Sequence, residues 1–90
     1  MSIYIVSYDL KNADSTDYDE LYSYLNSINS HRIQDSVWLI KTNKSLSKVK
    51  QKIKTFMSEY DRLWVSIVND DEYTFSKSRS GTNDWLNGNM

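Results

Sequence analysis

Residues 31–41 read His31-Arg32-Ile33-Gln34-Asp35-Ser36-Val37-Trp38-Leu39-Ile40-Lys41, and the way this stretch folds decides the architecture. It is too short, and too rich in β-branched and aromatic residues, to be a helix. Two short strands meeting in a tight turn or bulge near Gln34–Ser36 account for it. Upstream, residues 2–9 (SIYIVSYD) form a strand apolar on both faces, with Ile3 and Ile5 alternating against Tyr4, Val6 and Tyr8. A polar loop follows, in which the side-chain oxygen of Thr16 or Asp17 can accept from the free amides that begin a helix. Tyr18, Leu21, Tyr22, Leu25 and Ile28 then recur at helical spacing. Downstream, residues 45–60 return to that period through Leu46, Val49, Ile53, Phe56, Met57 and Tyr60, with lysines on the opposite side. Residues 62–68 (RLWVSIV) are again doubly apolar, Leu63, Val65 and Ile67 opposing Trp64 and Val68. After a polar NDDE turn, Tyr73–Phe75 reads as a further short strand.

The order is therefore βαββαβ with an extra C-terminal β segment, an α+β unit that packs two helices on one face of an antiparallel sheet. Without the hairpin at 31–41, a three-stranded βαβαβ unit would remain. Residues 1–76 form the domain. Residues 77–90 are rich in Ser, Asn and Gly and are expected to be a flexible C-terminal tail anchored only by Trp85 and Leu86.

Ninety residues make one domain with a marginal core, because a chain this short buries only roughly 60% of its extended surface. With no Cys there is neither a disulfide nor a thiolate metal site, and one His excludes His-rich zinc clusters. The opening MSIYIVSYDL meets Asp9 too early for a secretory signal, and no apolar run approaches a membrane span, so a cytoplasmic protein is expected. Eleven basic and twelve acidic residues nearly cancel, which argues against a dedicated, strongly basic nucleic-acid binder. The charge is nevertheless polarised. Residues 41–54 carry six lysines and no acid, while residues 9–20 carry five acids against Lys11. Neither a Gly-rich phosphate loop nor a nucleophile elbow is present.

Two helices cover one face of a four-stranded sheet, yet the strands carry large apolar side chains on both. Left in water, the second set would form a patch that monomers rarely expose. Burying it at ~25 cal/mol per Å2 would strongly support so small a core. Pairing two sheets across a two-fold axis is the simplest way to bury it, with Tyr4, Tyr8, Trp38 and Trp64 as the expected interface. The alternative is a C-terminal segment that folds back as a lid, with Trp85 as its plug.

A hydrophobic strand ending in Tyr8-Asp9-Leu10, then a helix, then Arg32-Ile33-Gln34-Asp35-Ser36-Val37-Trp38, resembles the Cas-two family of CRISPR adaptation proteins. It is also similar to their stand-alone relatives, including the virulence-associated protein D ribonucleases. The resemblance covers about residues 3–68. It implies a ferredoxin-like homodimer that binds nucleic acid and acts either as a Mg2+-dependent nuclease on RNA or DNA or as a non-catalytic scaffold. It further implies that Asp9 and its two-fold mate hold Mg2+, which prefers carboxylate and water oxygens and would lower the pKa of a bound water. Arg32 would pair a phosphate bidentately, Ser36 would orient a phosphate or water, and Trp38 stands where the family has an aromatic, usually Phe. Asn12, Asp14, Ser15 and Asp17 depart from the basic residues that relatives often carry after the first strand.

Each residue also has a structural reading. Asp9 serves equally as a strand-end carboxylate, Arg32 as an ion-pair partner of Asp9 or Asp35, and Trp38 as core or dimer interface. His31 is a solvated strand-start residue and Asp61 a turn residue. The lysine face, including Lys48 and Lys52, is a solvated face or, doubled in a dimer, a phosphate-tracking stripe. A different class of function is a catalytically inert dimeric interaction module (a scaffold, a toxin-like protein or a phage counter-defence factor) that captures a protein partner through Trp85 and Leu86.

Overall fold

The computed structural model describes residues 1–11 and 18–90. The helix cap expected at Thr16 or Asp17, and the acidic stretch Asn12, Asp14, Ser15 and Asp17, lie outside the described residues. The elements run β1 (Ser2–Asp9), α1 (Asp19–Ser27), β2 (Ser30–Gln34), β3 (Val37–Thr42), α2 (Leu46–Lys54), β4 (Arg62–Val68) and α3 (Thr82–Asn89). The four strands form one antiparallel sheet in the order β2-β3-β1-β4, the ferredoxin-like arrangement expected from the βαββαβ order. The hairpin at 31–41 is present. Arg32 pairs with Trp38 and Gln34 with Val37, so Ile33 is the extra residue of a bulge between them.

One face of the sheet carries the main core. Tyr4, Val6 and Tyr8 of β1 and Trp38 and Ile40 of β3 pack against Leu21 and Leu25 of α1 and Val49 and Ile53 of α2. Leu63 and Val65 of β4 close the same layer. Helix α2 starts cleanly, with the Ser45 hydroxyl accepting from the Lys48 amide. It stops at Lys54, short of the expected 60, because the turn tightens. Thr55 bonds the Lys52 carbonyl through its hydroxyl, and Phe56 and Met57 donate three residues back, to Ile53 and Lys54.

The assignment of Tyr4, Tyr8 and Trp38 to a dimer interface is corrected here. All three point toward the helices and are at most 5% exposed within one chain. Trp64, the fourth, lies on the opposite face and is 68% exposed. That second face carries a smaller core of Ile3, Leu39 and Leu86, with Ile5, Ile33, Val68 and Trp85 packed around it.

Leu86 belongs to α3, so the segment expected to be a flexible tail folds back over the sheet, as the lid alternative describes. Polar contacts fix α3 at both ends. His31 Nε2 lies 2.8 Å from Thr82 Oγ1, Lys41 Nζ donates to the Asn89 carbonyl at 2.7 Å, and Asn29 Nδ2 donates to Asn89 Oδ1 at 2.8 Å. The extra strand expected at Tyr73–Phe75 is absent. Left-handed backbone at Asp71 (φ 62) and Lys77 (φ 58) interrupts extended chain on either side of it. The chain instead meets β2 at the bulge, where the Arg79 amide and the Ser78 hydroxyl both donate to the Ile33 carbonyl. Among the described residues no helix is long and apolar enough to cross a membrane.

Candidate nucleic-acid interface

Asp9 ends β1 and sits opposite Arg62, the first residue of β4. Their side chains approach to 3.6 Å, Asp9 being 74% and Arg62 85% exposed. An ion pair so open to water contributes little. Its partner is Arg62 rather than Arg32, because β1 and β4 are neighbours while β3 separates β1 from β2. Sequence reading missed Arg62, which becomes a candidate only once the β1–β4 register is known.

Arg32 lies on the helix face of β2. Its guanidinium stands 5.5 Å from the ring centroids of both Tyr22 and Trp38, a doubly stacked cation. Nε and one terminal nitrogen donate to the Asp35 main-chain carbonyl, so the fork is held without an ion pair. The Asp35 carboxylate goes elsewhere, to Arg79 at 2.6 Å, and the hydrogen bond and charge of Arg79 hold its carboxyl below the usual carboxylate range. Beneath Arg32, the Trp38 indole N–H donates to the Tyr8 hydroxyl at 3.0 Å. Burial pushes the Tyr8 phenol up, with Trp38 and Arg32 opposing. Ser36 is exposed in the hairpin turn, and its carbonyl accepts the Tyr8 amide at 3.1 Å. The hairpin turn is thereby fixed alongside the end of β1. The structure gives Asp9, Arg32 and Ser36 no direct side-chain contact with one another.

The outer side of α2 is cationic. Lys48, Lys50, Lys52 and Lys54 are all exposed, and the first turn of the helix holds no acid. The two ion pairs among the described residues use arginines, so no described carboxylate forms an ion pair with any of these lysines. Lys52 arches 5.5 Å from the Tyr24 ring and 5.3 Å from the Phe56 ring, which stack on each other with centroids 5.2 Å apart. Tyr24 comes from α1, so this aromatic neighbourhood is invisible in the spacing of α2 alone.

Asp61, expected as a turn residue, ties three segments together. One oxygen accepts from the Lys11 amide and the Tyr18 hydroxyl, and the other from the Ser58 amide, each at 2.8 Å. Desolvation alone would raise this carboxyl. The hydrogen bonds outweigh it and hold Asp61 below its ordinary value. The knot closes the two ends of the 11–18 stretch onto the start of β4.

Mg2+ takes near-octahedral oxygen coordination, and carboxylates usually supply its protein ligands. At the end of β1 the described residues offer it one carboxylate, Asp9, with the Arg62 guanidinium beside it. Among the described residues no group of three or more His, Cys, Asp and Glu side chains converges to hold a metal. The described residues of one chain therefore do not fit the ion by themselves.

Comparison with known proteins gives this geometry a family. The model described as CRISPR associated protein Cas2 matches residues 1–74. The chain belongs to the Cas2 family. The match takes in the whole βαββαβ unit and ends before Arg79, Ser80 and α3. Among solved structures, a hypothetical protein from Thermus thermophilus is similar in fold, with a TM-score of 0.65 and 21% identity over 87% of this chain and 94% of that one.

Proposed function

We propose that this Cas2-family chain is a nucleic-acid-binding homodimer whose principal contact is with the phosphate backbone, through the lysine face of α2. The observation that carries the reading is that Lys48, Lys50, Lys52 and Lys54 stand exposed with no carboxylate against them among the described residues. A net charge of −1 makes the field of the whole chain weak, so attraction for a polyanion has to come from this local stripe. Phosphates suit such a row because each lysine acts as a point charge and releases a condensed counterion on contact. The dimer reading is supported by Trp64, 68% exposed on the sheet face that α3 leaves open, and by Ile67, 53% exposed on the edge strand β4. Binding of fluorescent duplex DNA and single-stranded RNA, followed as salt is raised, tests the reading. Affinity should fall linearly on a log–log plot, and a Lys48→Glu/Lys52→Glu variant should bind more weakly with a shallower slope.

A second reading, hydrolysis supported by Mg2+ at paired Asp9 residues, is favoured by one observation. Asp9 is 74% exposed at a strand end, where a second copy can reach it. It requires the dimer, since one Asp9 supplies too few ligands. Cleavage that depends on Mg2+ and disappears in Asp9→Ala would establish it; cleavage that is undiminished in Asp9→Ala would remove Asp9 from any site.

A further inference from the structure

Next to the β2 bulge, His31, Arg32, Arg79 and Ser80 line an open concavity of about 430 Å3. We infer that this concavity is a phosphate-binding site, occupied by a phosphate group of the nucleic acid; the assignment rests on the nucleic-acid reading above and places a contact apart from the lysines of α2. Arg32 and Arg79 both line it and both reach Asp35, Arg32 at its main-chain carbonyl and Arg79 at its carboxylate. Arg32 is already oriented, its plane stacked on Tyr22 and Trp38 and one edge satisfied by the Asp35 carbonyl. A cation held in place loses little freedom when an anion arrives.

Arg79 is brought in by the chain fold, its amide bonded to the Ile33 carbonyl and its guanidinium paired with Asp35 at 2.6 Å. That pair is exposed, Asp35 at 90%, and is weak for the same reason as any surface ion pair. A phosphate presents more charge and more acceptor oxygens than the Asp35 carboxylate, so it can take over the Arg79 fork. His31 forms a fixed wall, bonded to Thr82 and stacked 6.4 Å from Trp85. Ser80 adds a hydroxyl at the rim. The site joins His31 and Arg32 of β2, inside the family-matched residues 1–74, to Arg79 and Ser80, which follow them.

The test is an NMR titration of the full chain with inorganic phosphate, following the His31 ring and the Arg79 side-chain signals. Both should shift with one common saturation. Arg79→Gln should weaken the affinity by about tenfold or more, as expected for the loss of a charge-assisted contact. Absence of a shift at His31 and Arg79, or equal affinity in Arg79→Gln, overturns the site. Either failure leaves the lysine reading to stand on its own salt dependence. Oligonucleotides with and without a 5′-phosphate then name the source. A preference for the phosphorylated form that Arg79→Gln removes assigns a terminal phosphate. Equal binding that Arg79→Gln weakens assigns an internal phosphodiester. An Arg79→Gln variant that binds both oligonucleotides as wild type does overturns the assignment to nucleic acid.

Discussion

Truncating Leu86 to alanine asks whether α3 is part of the folded domain. Leu86 is 5% exposed and completes the second core with Ile3 and Leu39. Leu→Ala at a buried position costs about 2–5 kcal/mol, the spread reflecting how far the site can collapse. Helix α3 has solvent on its outer side and can settle inward, which puts Leu86→Ala at the low end, about 2–3 kcal/mol. For a domain of this size each kcal/mol lowers Tm by about 4–8 °C, so the midpoint should fall by about 8–24 °C. Urea unfolding followed by tryptophan fluorescence and by far-UV circular dichroism measures it, and the two probes should shift together. The polar anchors of α3, at His31, Lys41 and Asn29, argue that it unfolds with the sheet rather than before it. A change within ~0.5 kcal/mol, the size of an ordinary surface substitution, would mean that residues 82–89 are the loose tail their composition suggests and would refute the packing argument.

Asp61→Asn should destabilise the fold by about 1–2 kcal/mol near neutral pH, because an amide replaces a charged acceptor of three hydrogen bonds. The folded Asp61 carboxyl lies below its ordinary 3.8, so its stabilisation is present in full above that value and is lost as pH falls through the lower folded one. Thermal melts from pH 7 to pH 2 should therefore show wild type and Asp61→Asn converging below about pH 4; a constant gap would contradict the role. Trp64→Arg, at a residue 68% exposed within one chain, should shift light scattering from the proposed dimer to monomer and lower Tm by the support that the dimer contact gives; an unaltered dimer would move the interface elsewhere. Asp9→Ala should alter stability by no more than ~1 kcal/mol, the range of an exposed ion pair, and leave nucleic-acid binding intact; a large loss of binding in gel shifts would show that Asp9 is part of the contact.

Much of the fold is legible in the sequence because the elements differ in period. The alternation at 2–9, the hairpin at 31–41 and the four-residue spacing of Leu21 and Leu25 and of Val49 and Ile53 each specify one type of element. Alternation does not say which face the helices cover, since both faces of these strands are apolar. Tyr4, Tyr8 and Trp38 are therefore easily mistaken for an outer surface, while their neighbours Ile3 and Leu39 lie under α3. Helix α3 is hidden for another reason. Asn83, Asp84, Asn87, Gly88 and Asn89 are poor helix formers, so tertiary contact rather than propensity holds residues 82–89 helical. The site is legible where it depends on one segment, as in the lysines of α2. It is not where it depends on register or chain return, as in Asp9 with Arg62, Tyr24 beside Lys52, and Arg79 brought to Asp35.

In the proposed complex the lysine face of α2 holds the phosphates. This contact is tested most directly by anisotropy binding of one duplex DNA to wild type and to Lys48→Glu/Lys52→Glu across a salt series. Each phosphate contact contributes roughly −0.9 to the slope of log K against log salt for duplex DNA. The variant should bind more weakly at every salt concentration, with a slope shallower by roughly 2 for each chain whose face is engaged. Equal affinity and equal slope for the two proteins would contradict it.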